Sequence, residues 1–345
     1  MNGLSKLNGI FKAAVLILLS MTLTACSLNS SNALQNPVKV TGYKLNTYVD
    51  IRSYTNVDKS VLEGAMSLID SYENMLSIHK EDALLYRVNH RQTDEIPAEL
   101  AHLITNALYY SSKSDGHFCL TIGGVSTLWD FTAEHPTVPD ETSIKEALST
   151  VDDSFIELEP INRDEPEGLY KITLPAGTML DLGAVAKGYI ADKVKQYLKE
   201  HGVESAIINL GGNILCVGKK DRGDWAVGVR KPFGSESDYI AALNISDASV
   251  VSSGTYERGF TAADGTYYHH ILNPKTGYSY ESDLTQVTIL SKDSFSGDCL
   301  STTCFTLGIQ AGLNLIESLP DTEAMFVKTD GSFVYSSGFE NYLRK

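Results

Sequence analysis

The period of the apolar pattern changes along this chain, and that change limits the folds open to it. As far as residue 150 the apolar residues recur at helical spacing. Val61, Leu62, Ala65, Leu68, Ile69, Met75 and Leu76 fall on one face over residues 57–78. Residues 97–114 predict a second helix, closed by the turn Asp115-Gly116, and residues 140–150 a short third. From residue 206 onward alternation takes over. It predicts strands over 206–209, 214–218, 225–229, 239–245, 249–253 and 286–290, with a closing hairpin over 324–335 around Asp330-Gly331. An opening strand is expected over 42–54, and strand-like pieces over 155–180 are broken by turn residues at 162–168. One late helix, 298–307, is stopped by Gly308. Helices followed by strands predict an α+β fold rather than a doubly wound sheet.

The N-terminus predicts a location. Lys6 and Lys12 precede an apolar run over residues 13–21 (AAVLILLSM), then Leu23-Thr24-Ala25-Cys26. The run is shorter than the roughly 20 residues a membrane-spanning helix needs. With small residues before a cysteine, it reads as a bacterial lipoprotein signal peptide with Cys26 as lipid acceptor. Residues 1–26 are then the signal, polar residues 27–40 a flexible leash and 41–345 a soluble domain, held at the extracytoplasmic face of a bacterial membrane through its lipid anchor only. A net charge of −15 argues against a nucleic-acid partner. Cys119, Cys216, Cys299 and Cys304 read as small buried hydrophobes, and the last two point to different helix faces. No Cys/His spacing suits zinc.

Four stretches look built for chemistry. Asp181-Leu182-Gly183-Ala184-Val185-Ala186-Lys187-Gly188-Tyr189, continuing to Asp192, reads as a strand end, a glycine turn and a helix starting near Ala184. A helix N-terminus with a nearby lysine suits phosphates, although a tight connection with a solvated lysine fits equally well. Asn209-Leu210-Gly211-Gly212-Asn213 is, alone, ordinary turn chemistry. In Tyr268-His269-His270-Ile271-Leu272-Asn273-Pro274-Lys275-Thr276-Gly277, alternation sends the two histidines to opposite sides, so at most one lines a given cleft, where it could serve as a general base. Asp298 and Thr302 share a helix face, and their oxygens suit a hard cation such as Mg²⁺. The plainer alternative there is a helix start capped by Ser296.

In this order, DLGAVAKGYIAD, INLGGNIL, HHILNPKTG and GDCLSTT resemble the ApbE family, the FAD:protein FMN transferases. Weaker matches are Met75-Leu76-Ser77 with Asn89, Asp115-Gly116-His117-Phe118, and Leu128-Trp129-Asp130-Phe131. The resemblance implies a bilobal, T-fold-like α+β domain with a flavin site between lobes. It implies Mg²⁺-dependent transfer of FMN from FAD to a Thr or Ser hydroxyl of extracytoplasmic redox proteins bearing a Ser/Thr motif, with AMP leaving. By position, Asp181 and Lys187 would contact FAD. Ala184, through its carbonyl, would hold Mg²⁺ with Asp298 and Thr302. His270 would be the base, and Ser253, Tyr256 and Leu272 would line the cleft. His79, Phe118 and Cys119 stand on the first lobe's side of the flavin. The family usually has an aromatic residue at His79 and commonly aspartate at Cys119. A Mg²⁺-dependent FAD pyrophosphatase and a flavin-binding lipoprotein without catalysis remain as alternatives at this point.

Overall fold

The structure is a computed structural model that describes residues 33–345, apart from 221, 222 and 236. Cys26 and the expected signal peptide lie outside the described residues. The stretch expected as leash over 27–40 is already strand from Ala33, because β1 (Ala33–Lys44) pairs with β2 (Thr47–Thr55). The expected opening strand is therefore a hairpin. Leu45 and Asn46 form its two-residue turn at φ 53° and 56°, the doubly left-handed geometry that matches strand twist.

β6 (Ala206–Leu210), β7 (Asn213–Val217), β10 (Ser249–Gly254), β13 (Leu284–Ser291), β14 (Glu323–Lys328) and β15 (Phe333–Tyr335) extend this hairpin into one antiparallel sheet. Its order is β1-β2-β6-β7-β10-β13-β14-β15. Side chains alternate across it. Leu215 and Val217 face the helices, whereas Cys216 faces β8 (Trp225–Arg230) and β9 (Tyr239–Ile245), which cover the other side with Trp225, Val227, Val229 and Leu243. Burial on both faces lets neighbouring positions of opposite facing both be apolar, as Leu215, Cys216 and Val217 are in β7. The mixture of helices and antiparallel sheets is the α+β class that the sequence pattern predicts.

On the helical face, α1 (Lys59–Leu76) and α3 (Ala98–Lys113) fall where their periodicity places them. Two short helices have too little pattern to stand out, α2 (Leu84–Asn89) and α4 (Gly123–Trp129), which begins on two glycines, whereas α5 (Glu141–Leu148), capped by Asp140, falls within the short helix expected over 140–150. The strand expected to deliver Asp181 stops earlier, as β5 (Leu169–Thr173) paired with β3 (Glu95–Pro97) and β4 (Glu157–Pro160). Asn89 does the delivering instead. Its buried amide donates to the Leu180 carbonyl and accepts from the Leu180 N–H, both at 2.8 Å.

Two helices then cross. α6 (Gly183–Glu200) buries Val185, Ile190, Ala191, Val194 and Leu198. α7 (Ser294–Leu307) is buried almost all round, and α8 (Ile309–Glu317) follows it after Gly308 at φ 77°. α7 begins four residues before the expected Asp298, because Asp293, not Ser296, is its cap and accepts from the Ser296 N–H at 2.8 Å. The helices touch at Gly188, where an added Cβ would lie 2.3 Å from the Ser294 carbonyl oxygen and 2.7 Å from Asp298 Cβ. Both neighbours belong to the packed α7, so neither can swing aside. Gly188→Ala is expected to destabilise the fold by about 1–3 kcal/mol through overpacking. A urea-unfolding midpoint equal to wild type would show that the crossing can relax.

Candidate active site

The crossing concentrates oxygen donors. The Gly188 N–H donates to Asp298 Oδ2 at 2.8 Å. The Ala184 carbonyl lies one turn before Gly188 on α6, and a carbonyl oxygen has a second lone pair beyond its helical bond, so it keeps acceptor capacity. Asp298 is 5% exposed. Burial pushes its carboxyl up to about 6, and the Lys187 charge and the Gly188 N–H pull the other way. One turn on, Thr302 Oγ1 lies 3.3 Å from Ser253 Oγ, which is itself 2.7 Å from Ser301 Oγ. Ser253 reaches α7 because alternate β10 residues face the helices, as Ser249 does toward Ser294. Among the described residues no group of three or more His, Cys, Asp or Glu side chains could hold a metal. A carbonyl, one free carboxylate oxygen and a hydroxyl nonetheless fit a hard cation that keeps waters and phosphate oxygens as its other ligands.

Asn213 in the glycine turn between β6 and β7 secures the same end of α7 by accepting from Ser294 Oγ at 2.6 Å. Gly211, at φ 66°, is there for Thr47, whose Oγ1 would meet a Cβ at 2.2 Å. That stretch is structural support for the crossing.

The histidines divide as alternation requires. His269, in β12 (Tyr267–His269), is buried; its Nε2 faces the Tyr280 carbonyl at 3.1 Å and its Nδ1 accepts from the Ile271 N–H at 3.3 Å. Both ring nitrogens are used. His270 is partly exposed and places Nδ1 3.3 Å from the Arg258 carbonyl, which leaves Nε2 open. The surrounding protein, with the charges of Arg258, His269 and Lys187, pushes it down to about 3, so the ring is neutral. Lys187, the residue before Gly188 on α6, carries a charge that lowers the pKa of both His270 and Asp298. The turn after His270 is fixed by Trp129, whose indole N–H donates to the Gly277 carbonyl at 2.7 Å. Leu272 packs beneath it with Val125, Trp129 and Ile144.

The other expected residues fall in several places. Asp181 accepts from Ser126 Oγ and the Gly183 N–H, each at 2.8 Å, and so shapes the turn into α6. Tyr256 follows β10, its ring 5.8 Å from the Arg230 guanidinium, and burial holds its phenol well above the ordinary value. Phe118 is buried in the main core. His79 is exposed in the turn after α1, and no hydrogen bond or ion pair among the described residues joins it to the crossing. Cys119 belongs to a different centre, which sequence reasoning missed. The Asp153 carboxylate accepts from Ser111 Oγ at 2.6 Å, Cys119 Sγ at 2.9 Å, the Leu120 and Thr121 N–H groups, and Thr121 Oγ1. A cavity of about 650 Å³ borders the Asn273–Gly277 turn and the C-terminal end of α7, lined by His117, Tyr278, Tyr280 and Phe305 among others. It includes none of Lys187, Asp298 or Thr302 and is not the crossing itself.

The chain is similar to known proteins in sequence and in fold. The ApbE family model matches residues 45–326. Two similar relatives are each named FAD:protein FMN transferase. The one from Treponema pallidum (strain Nichols) is 34% identical over 299 residues, covering 83% of this chain and 82% of its own. The one from Klebsiella pneumoniae (strain 342) is 36% identical over 283 residues, covering 81% and 86%. The solved ApbE protein of Thermotoga maritima MSB8 matches with a TM-score of 0.80 at 26% identity, over 90% of this chain and 100% of that one.

Burial, with Asp153 beside it, pushes the Cys119 thiol up to about 12. At pH 8 only on the order of 10⁻⁴ of it is thiolate, the reactive form. Iodoacetamide labelling of the native protein at pH 8, read peptide by peptide, should leave Cys119 unmodified, and Asp153→Asn should accelerate it. Rapid labelling in wild type would contradict the assignment.

Proposed function

The chain belongs to the ApbE family, and on that premise we propose that it transfers FMN from FAD to a Thr or Ser hydroxyl of extracytoplasmic redox proteins, with Mg²⁺ and with release of AMP. One observation carries the mechanistic part. Asp298 takes the Gly188 N–H through Oδ2, which leaves its Oδ1 for a ligand, with the second lone pair of the Ala184 carbonyl, Thr302 Oγ1, Lys187 and His270 as its neighbours.

FAD is the substrate, and its diphosphate is the reacting group. Lys187 and the first turn of α6 favour that anion at the crossing. Mg²⁺ held by Ala184, Asp298 and Thr302 would supply neutralisation of charge on the diphosphate. His270 orients and accepts. With Nδ1 committed to the Arg258 carbonyl, Nε2 takes the proton of the acceptor hydroxyl. The hydroxyl oxygen then bonds to the FMN-side phosphorus, the P–O bond to the AMP phosphate breaks, and AMP leaves with that electron pair. A phosphoester to the acceptor remains. Such a displacement asks for positioning and electrostatics more than for covalent help. Cys26 would hold the enzyme at the surface where such acceptors reside, which requires FAD outside the cytoplasm.

Incubating the full chain with FAD, Mg²⁺ and an acceptor bearing a Ser/Thr motif should add one FMN to one hydroxyl, read by intact mass. Asp298→Ala should remove the activity and its metal dependence together. His270→Ala should slow transfer about 10²–10⁴-fold while FAD still binds. Loss of FAD binding in His270→Ala would overturn the base assignment. Free FMN released faster without acceptor than with it would make the enzyme a pyrophosphatase.

A further inference from the structure

The contact between α6 and α7 is reciprocal. Gly188 and Asp192 stand one turn apart on α6; Ser294 and Asp298 stand one turn apart on α7. The α7 carboxylate of Asp298 accepts from the α6 backbone at Gly188. One turn away the α6 carboxylate of Asp192 accepts from the α7 backbone, with Oδ1 taking the Ser294 N–H at 2.9 Å and Oδ2 the Phe295 N–H at 2.8 Å. These are the first two amides of α7, donors with no partner inside their own helix. Asp293 accepts from the Ser296 N–H, so two carboxylates on different helices share the cap. Because both oxygens of Asp192 are engaged by consecutive amides, α7 can neither slide nor roll on α6 without losing a bond. A slide would also drive Ser294 and Asp298 across the Gly188 backbone, where there is no room for even a Cβ.

We propose that Asp192 is a positioning residue: its bidentate hold on Ser294 and Phe295 sets the register of α7 on α6, and so the spacing of Ala184 from Asp298 and Thr302. Asp192 touches no substrate and lies outside the donor set. It acts through the helix that carries two of the three donors. The inference rests on the metal-assisted reading above.

The test uses the full chain and Mn²⁺ as probe, with bound ion counted by loss of the free-ion EPR signal. Asp192→Asn keeps the size of the side chain but turns an N–H toward an N–H. It should weaken Mn²⁺ binding about 10–100-fold, as loss of an outer partner of a ligand does. The KM for Mg²⁺ in FMN transfer should rise by the same factor, with kcat recovered at saturating Mg²⁺. Asp192→Glu keeps both acceptors on a longer stem and should show an intermediate loss; it decides the matter if Asp192→Asn does not fold. A purely structural role would lower the unfolding midpoint and leave Mn²⁺ affinity at the wild-type value. Wild-type affinity in a folded Asp192 variant, with Asp298→Asn losing the ion, would overturn the inference and spare the reading beneath it. No Mn²⁺ on wild type would overturn both.

Discussion

The hydrogen bond from the Gly188 N–H to the Asp298 carboxylate is the contact on which the rest of the arrangement depends. It exists because position 188 has no side chain, so the backbone of α6 comes against α7 closely enough for a main-chain donor to reach a side-chain acceptor. A carboxylate brought into such a place is disfavoured in its charged form. The compensation is one amide and the charge of Lys187. The large sheet serves this contact from below. Ser249 and Asn213 hold Ser294, Ser253 meets Ser301 and Thr302, and the alternation of β10 directs these hydroxyls to the helical side.

The site is also shaped by what is used up elsewhere. His269 has both ring nitrogens bonded and is spent on structure, which leaves its neighbour His270 with an open Nε2. Asp153 gathers five donors from two stretches of chain, Ser111 and residues 119–121, and fixes the backbone beside Phe118 and Cys119. Glu99 similarly accepts from Tyr72 and Tyr189 and pairs with Lys193, tying α1, α3 and α6 together. Networks of this kind, fully satisfied, favour one arrangement of the helices over nearby ones.

Much of this was legible in the sequence, and the exceptions have physical causes. The long helices and the β-rich second half followed from apolar period, because their buried faces repeat often enough to be read. α2 and α4 did not, since six or seven residues carry too little period and α4 opens on glycines. The start of α7 was misjudged because Asp293 and Ser296 are both acceptable caps and only the fold chooses between them. The first strand was hidden by its polar composition; its partner β2 supplies the order that composition alone does not. Asp298 and Thr302 stand out from their helical spacing, whereas Asp181, Ala184 and Lys187 are singled out by the family resemblance of their stretch. Asp192, in the same stretch, is not, because its partners lie more than a hundred residues away. Asp153 left no local signal at all.

The most direct test of the central claim is an anomalous-difference map from crystals grown with Mn²⁺ and ADP. The account predicts one peak at the α6–α7 crossing, touching the Ala184 carbonyl, Asp298 Oδ1 and Thr302 Oγ1, with the diphosphate completing its coordination. A peak bound by other residues, or a diphosphate ordered elsewhere without metal at the crossing, would contradict it.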